Sequence, residues 1–177
     1  AIREGVADRV RFFEEDLFAS DFSEASVVML YLLPEANLKL RPRILKELKA
    51  GSRIVSHSHD MGAWEPDGGW ITGKFRIYSW IVPANAGGVW QWTLPDGSGA
   101  RIRFDQRFQK LFGRFLKPLE GSTLIDAALV GKHVGFKEVR FLNGTRRIME
   151  FAGVVNGDRI EGCCRWIGNA CSKIRPW

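Results

Sequence analysis

The 177-residue chain has no apolar run near the roughly 20 residues that a membrane-spanning helix requires, so no membrane span is expected. No secretory leader is visible before the first polar residues, although the chain starts at Ala1 and not at Met. Cysteine is scarce. Cys163, Cys164 and Cys171 make an odd number, two of them adjacent, with no second pair at zinc-ribbon spacing. Neighbouring cysteines seldom pair with each other, so free thiols and a reducing, cytoplasmic compartment are expected. Histidine is equally scarce. His57 and His59 would share one face of a continuing strand, but the remaining His133 is remote in sequence, and a two-ligand set does not make a metal site. There is no Gly-x-Ser-x-Gly elbow, and no cysteine lies near a histidine in sequence, which leaves nucleophilic acyl chemistry without support. The net charge of +6 comes with no nucleic-acid-binding motif.

What is present changes character along the chain. Residues 1–67 carry a net charge of −3 and residues 68–177 carry +9, which favours an acidic partner for the second part or simply a basic surface. In the first part, Arg9–Phe13, Val27–Leu32 and Ser52–Ser56 read as strands, the last two without polar alternation, as in strands buried on both faces. Between them, Leu38, Arg41, Leu45 and Leu48 recur at helical steps, predicting a helix over Glu35–Leu48. Pro42 lies inside this span and marks either a kink or the true first turn. This is the rhythm of a parallel α/β sheet, whose ligands sit at the carboxyl ends of the strands.

After Trp64 the pattern shortens. Gly68-Gly69 reads as a hinge. From Lys74 onward, alternating runs rich in aromatic and β-branched residues are separated by turns. Strands are predicted at Phe75–Val82, Val89–Leu94, Ala100–Phe104, Ser122–Val130, Gly135–Phe141, Arg146–Val154 and Asp158–Cys164, with Arg107–Phe115 either helix or strand. Pro95-Asp96-Gly97, Asn143-Gly144 and Asn156-Gly157-Asp158 signal turns. Trp80, Trp90 and Trp92 either line a cleft or fill the core of this region. The expected fold class is α/β, with residues 1–67 forming a parallel core and residues 68–177 an antiparallel β-rich region.

The segments Arg9–Phe18, Ala25–Pro34, Leu48–His57 and Asp60–Asp67 together resemble the middle of a class I S-adenosylmethionine-dependent methyltransferase, from its third to its fifth strand. The resemblance implies a partial Rossmann-like sheet lacking the first two strands, S-adenosyl-L-methionine as cofactor, and methyl transfer to an unknown acceptor. Residue by residue, it puts Asp16 on the adenine amino group and Leu17 against the ring. Tyr31, Leu32 and Pro34 fall beside the methyl-transfer centre, and Asn37, His57, His59 and Trp64 on the acceptor side. Read from the residues alone, Asp16 is equally a loop or N-cap carboxylate and Tyr31 a packing residue. The family's glycine loop and ribose-binding carboxylate would lie before Ala1, so the chain on its own is expected to bind the cofactor weakly and to be inactive. An uncovered sheet edge then predicts a homodimer. The alternative reading is a non-catalytic module whose β-rich half binds an apolar or acidic ligand.

Overall fold

The computed structural model describes residues 3–94, 97–167, 172 and 173. Its first sheet has the order β1-β2-β4-β3, from β1 (Val27–Leu30), β2 (Arg53–His57), β3 (Gly68–Thr72) and β4 (Phe75–Ile81). β1 and β2 are parallel, in register from Val27 opposite Arg53 to Leu30 opposite Ser56. Helix α1 (Pro34–Glu47) connects them. Pro34 occupies its first turn, where a missing N–H costs nothing. Asn37, Leu40 and Ile44 form its buried stripe, and Leu40 and Ile44 share a core with Leu30, Ile54, Trp64 and Trp80. Pro42 therefore marks no first turn; it lies within the helix, on the exposed side, where water can satisfy the carbonyl that Pro42 leaves unpaired.

The expected strand at Arg9–Phe13 does not form. Ala7–Arg9 is a short 3-10 turn and residues 10–14 run without regular structure. Phe12 and Phe13 are exposed, and the segment has no partner strand to satisfy its backbone. The hinge expected at Gly68-Gly69 is also absent: both glycines lie in β3. At Gly69 a side chain would collide with the Ile77 carbonyl of β4, so glycine serves close pairing there and not flexibility. The first sheet thus continues to Ile81, with an antiparallel hairpin added to the parallel pair.

The rest is antiparallel. β5 (Gly88–Thr93), β6 (Gly99–Arg107) and β7 (Lys110–Leu116) form one sheet. The other has the order β12-β11-β10-β9-β8, from β8 (Thr123–Val130), β9 (His133–Leu142), β10 (Thr145–Asn156), β11 (Arg159–Trp166) and β12 (Ser172–Lys173). Arg107–Phe115 resolves as strand, because burial alternates along β6 and a two-residue turn leads into β7. Asn143 and Gly144 both take positive φ, 50° and 76°, as a tight hairpin turn requires. Gly157-Asp158 turns β10 into β11. Pro95 and Asp96 of the third turn lie outside the described residues. Inward-facing Trp92, Phe104, Phe115, Phe136, Met149 and Phe151 share one core, in which Phe136 and Phe151 stack with centroids 4.5 Å apart.

The expectation of free thiols holds for one of the two described cysteines. Neighbours in a strand face opposite ways. Cys164 points into the core as a free thiol, and burial pushes its pKa up. Cys163 faces outward and is disulfide-bonded, which corrects the reading of it as a thiol and removes the cysteine argument for a reducing compartment. Cys171 lies outside the described residues. No described helix is long and apolar enough to cross a membrane.

Candidate functional site

Two residues expected at the site come together at the carboxyl end of the parallel pair. Tyr31 follows β1 and His57 ends β2, and their ring centroids are 4.9 Å apart. Phe75, at the start of β4, closes the other side of the imidazole at 4.6 Å. Tyr31 is 82% exposed, so its ring belongs to the surface and not to core packing. His57 Nδ1 and Ser58 Oγ are 3.0 Å apart, within hydrogen-bond distance. Ser58 has φ 66°, a left-handed conformation that costs a non-glycine residue about 1 kcal/mol or more. That kink ends the strand at His57, so His59 does not share its face, contrary to the alternation expected from sequence. Among the described residues no group of His, Cys, Asp or Glu is arranged to hold a metal ion.

Asn37 fixes the loop beyond. It is fully buried, and its Nδ2 donates to Ser56 Oγ at 3.1 Å, to the His59 carbonyl at 3.2 Å and to the Asp60 carbonyl at 3.4 Å. Arg41, one turn on, donates to the Met61 carbonyl at 2.6 Å. Two consecutive turns of α1 therefore pin residues 59–61. His59 is half-buried in this loop. Trp64 is fully buried, stacked on Phe108 and tilted against Trp80, so its placement is that of a core residue.

Asp16 and Leu17 do not follow a strand, as the resemblance implies they would. They begin a tight turn in which Asp16 Oδ1 accepts from the Phe18 N–H at 2.9 Å and the Asp16 carbonyl accepts from Ala19 and Ser20. The carboxylate's other oxygen has no hydrogen-bond partner among the described residues, with the Arg43 guanidinium near enough to feel its charge. The turn docks on α1. Arg43 donates to the carbonyls of Phe18 at 2.6 Å and Ser20 at 2.8 Å, and its guanidinium lies over Phe22 at 4.7 Å. Lys39 Nζ lies 4.0 Å over the Phe18 ring. The chain thus runs from Phe22 beside Arg43 to Phe18 beside Lys39, toward the amino end of α1, the end that also carries Pro34 and Asn37. Leu32 and Leu17 pack against the α/β core, whereas Pro34 is exposed.

Arg43 carries a sequence signal only in its four-residue spacing to Glu47, which marks a helix-surface pair and not an anchor for the Asp16 turn. The pair is bidentate, at 2.8 and 2.7 Å. The hydrogen bond from Arg43 holds the Glu47 carboxyl below its ordinary pKa. Phe75 has no such signal at all, since only the β2–β4 pairing brings it to His57.

Comparison with known proteins agrees with the resemblance over the first part of the chain. Residues 1–68 match the family described as the ANTKMT methyltransferase domain. A protein-lysine N-methyltransferase of Saccharolobus islandicus (strain REY15A) is 41% identical over 64 residues, covering 36% of this chain and 40% of the relative. A lysine N-methyltransferase of Homo sapiens named for ATP synthase is 31% identical over 85 residues, covering 48% of this chain and 36% of the relative. An RNA methyltransferase from Salinibacter ruber, solved in complex with S-adenosyl-L-homocysteine, is 46% identical, covering 48% of this chain and 55% of that one, with a TM-score of 0.46. The matches to the curated relatives span 40% or less of their length. Residues 1–68 are a segment of S-adenosylmethionine-dependent methyltransferase type.

Proposed function

We propose that the α/β part of this chain supplies one side of a methyl-transfer site that uses S-adenosyl-L-methionine and an amine acceptor, the side chain of a protein lysine. The observation that carries the reading is the convergence of Tyr31, His57 and Phe75 at the carboxyl end of β1 and β2, within and beside the segment of methyltransferase type. Two relatives are named as lysine methyltransferases, which supports the choice of acceptor.

The residues fit the adenine side of the cofactor. Asp16 has an exposed carboxylate with capacity to accept from an exocyclic amine, and Leu17 beside it is apolar. The cofactor supplies an electrophilic methyl group on a sulfonium. The protein's own task is to place the acceptor in line and to take its proton. Aromatic faces attract an ammonium group, which suits Tyr31 and Phe75 to hold a lysine side chain. His57 lies between them and offers a ring nitrogen as proton acceptor, with Ser58 Oγ within hydrogen-bond distance of Nδ1 to set its orientation. Asn37 acts through the 59–61 loop as a positioning residue.

The described residues contain no glycine-rich turn between a strand and a helix, so contacts from this part alone would give weak binding, about 1 mM, which is about −4 kcal/mol. Titration of S-adenosyl-L-homocysteine into the isotopically labelled chain should move the amide signals of Asp16 and Leu17 and the ring signals of Tyr31. Asp16→Ala should abolish the shifts at Leu17. No shifts at several millimolar, or shifts unaffected by Asp16→Ala, would remove these residues from the site.

A further inference from the structure

The sheet of β5, β6 and β7 covers the second core with one face and turns the other to solvent. Ile102, Phe104, Leu111 and Phe115 point inward. The odd-numbered residues of β6 and the even-numbered residues of β7 therefore point outward, and burial alternates accordingly. This outer face is basic and linear. Arg101, Arg103 and Arg107 are exposed along β6, over about 20 Å at ~3.3 Å per residue. Arg114 of β7 is exposed directly opposite Arg103, and Lys110 is opposite Arg107.

Like charges set across from each other in a sheet cost stability. Lys110 is relieved by its ion pair with Glu65. The four arginines form no ion pair among the described residues, and Asp105 is the one carboxylate on the outward faces of β6 and β7. On the five-stranded sheet, by contrast, Lys137, Arg140 and Arg165 each pair with a carboxylate. The uncompensated row accounts for part of the +9 charge of residues 68–177 and attracts a polyanion.

Three features indicate which polyanion. A guanidinium grips phosphate oxygens with two N–H groups, and the row is built of arginine. Phe112, 58% exposed, stands on the same face between Lys110 and Arg114, a ring on which a base can stack. The row ends in two depressions: Arg101 and Lys117 line one of about 380 Å³, and Arg107 and Phe112 line another of about 330 Å³. A membrane surface is matched by a broad apolar face beside the cations. Here Val89 and Phe112 stand singly beside arginines, which suits bases spaced along a chain of phosphates.

We propose that the outer face of β6 and β7 binds a single strand of nucleic acid, its phosphates on Arg101, Arg103, Arg107 and Arg114 and a base on Phe112. The face lies on a different sheet from Tyr31, His57 and Phe75 and does not depend on the methyl-transfer reading.

The test is fluorescence anisotropy of a labelled oligouridylate of about 12 nucleotides with the full chain, between about 50 and 200 mM salt. Four phosphate contacts at about 0.7 each give a log–log salt slope of about −2.8, a loss of roughly 50-fold over that range. Arg103→Gln combined with Arg114→Gln should halve the slope, to about −1.4. Phe112→Ala should weaken binding at least about fivefold and leave the slope unchanged. Arg146→Gln combined with Arg147→Gln removes the same charge from exposed positions on β10, and should change affinity by less than about twofold because salt screens distant charges. Undetectable binding at the lower salt, an unchanged slope in the Arg103 and Arg114 variant, or an equal loss in the Arg146 and Arg147 variant would overturn the proposal. So would binding that Phe112→Ala does not weaken, or a preference for phosphatidylserine vesicles over the oligonucleotide.

Discussion

At the scale of single residues, Asn37 is the clearest case of a side chain whose amide is required as such. A buried amide that donates to three oxygen acceptors cannot be replaced by an acceptor. Asn37→Ala leaves the Ser56 hydroxyl and the carbonyls of His59 and Asp60 without their donor, at a cost of about 1–3 kcal/mol. Asn37→Asp is nearly isosteric but brings a carboxylate against those same oxygens, and should cost more, about 3–5 kcal/mol, as an uncompensated buried charge does. Urea denaturation of both variants checks the order. An aspartate variant more stable than the alanine variant would show that the amide is not the donor. Because the same amide holds the loop after His57, both variants should also disturb the Tyr31–His57 ring contact.

At the scale of elements, the outer edge of β1 decides how this chain meets others. β1 ends the sheet order, its neighbour on one side is β2, and no described strand covers the other side. Arg9–Phe13 does not collapse onto it. Val27 and Met29 are exposed, Met29 at 79%. An uncovered edge with apolar side chains recruits strands, so the 177-residue chain is expected to self-associate. Met29→Lys, a charge on that edge, should shift the equilibrium toward monomer by disfavouring strand addition. Sedimentation velocity across a hundredfold concentration range measures this. A monomer at every concentration would show that the edge is protected by other means.

At the scale of the whole molecule, a hairpin turn of one hydrophobic core inserts into the other. Phe108 belongs to the β6–β7 hairpin, yet its ring packs into the other core, stacked on Trp64 at 6.1 Å with the Arg41 guanidinium 5.6 Å from its centroid. It does so with φ 54°, a conformation a bulky residue adopts only when its surroundings impose it. Lys110 pairs with Glu65 at 2.6 Å and Gln109 donates to the Glu65 carbonyl at 2.7 Å, on the rim of the same contact. Opposite, Gly131 has φ 56° and presses on Gly51 so closely that an added Cβ would lie 3.1 Å from its Cα. Phe108→Asp should therefore uncouple the halves. Calorimetry is expected to resolve two thermal transitions where the unmodified chain shows one, with β-rich melting nearly unchanged. A single transition lowered as a whole would mean that the two cores unfold together for another reason.

The sequence by itself determined the parts governed by local period and turn chemistry. The parallel pair β1 and β2, the helix between them, and the hairpins at Asn143-Gly144 and Gly157-Asp158 follow from apolar runs, helical spacing and residues able to take positive φ. So did the methyltransferase character of residues 1–68, whose order of strand, helix and strand is itself local. Only the tertiary structure decided the rest. Arg9–Phe13 has strand-like composition but no neighbour to bond with, so it stays irregular. Asp16 belongs to a turn anchored by Arg43, because guanidinium donors from α1 satisfy carbonyls that no sheet reaches. Trp64 was expected at the acceptor and lies in the core, since burying an indole face against Trp80 and Phe108 outweighs exposing it. Phe75 reaches His57 across an antiparallel pairing that sequence spacing does not encode, and a pairing of the same kind sets Arg103 beside Arg114.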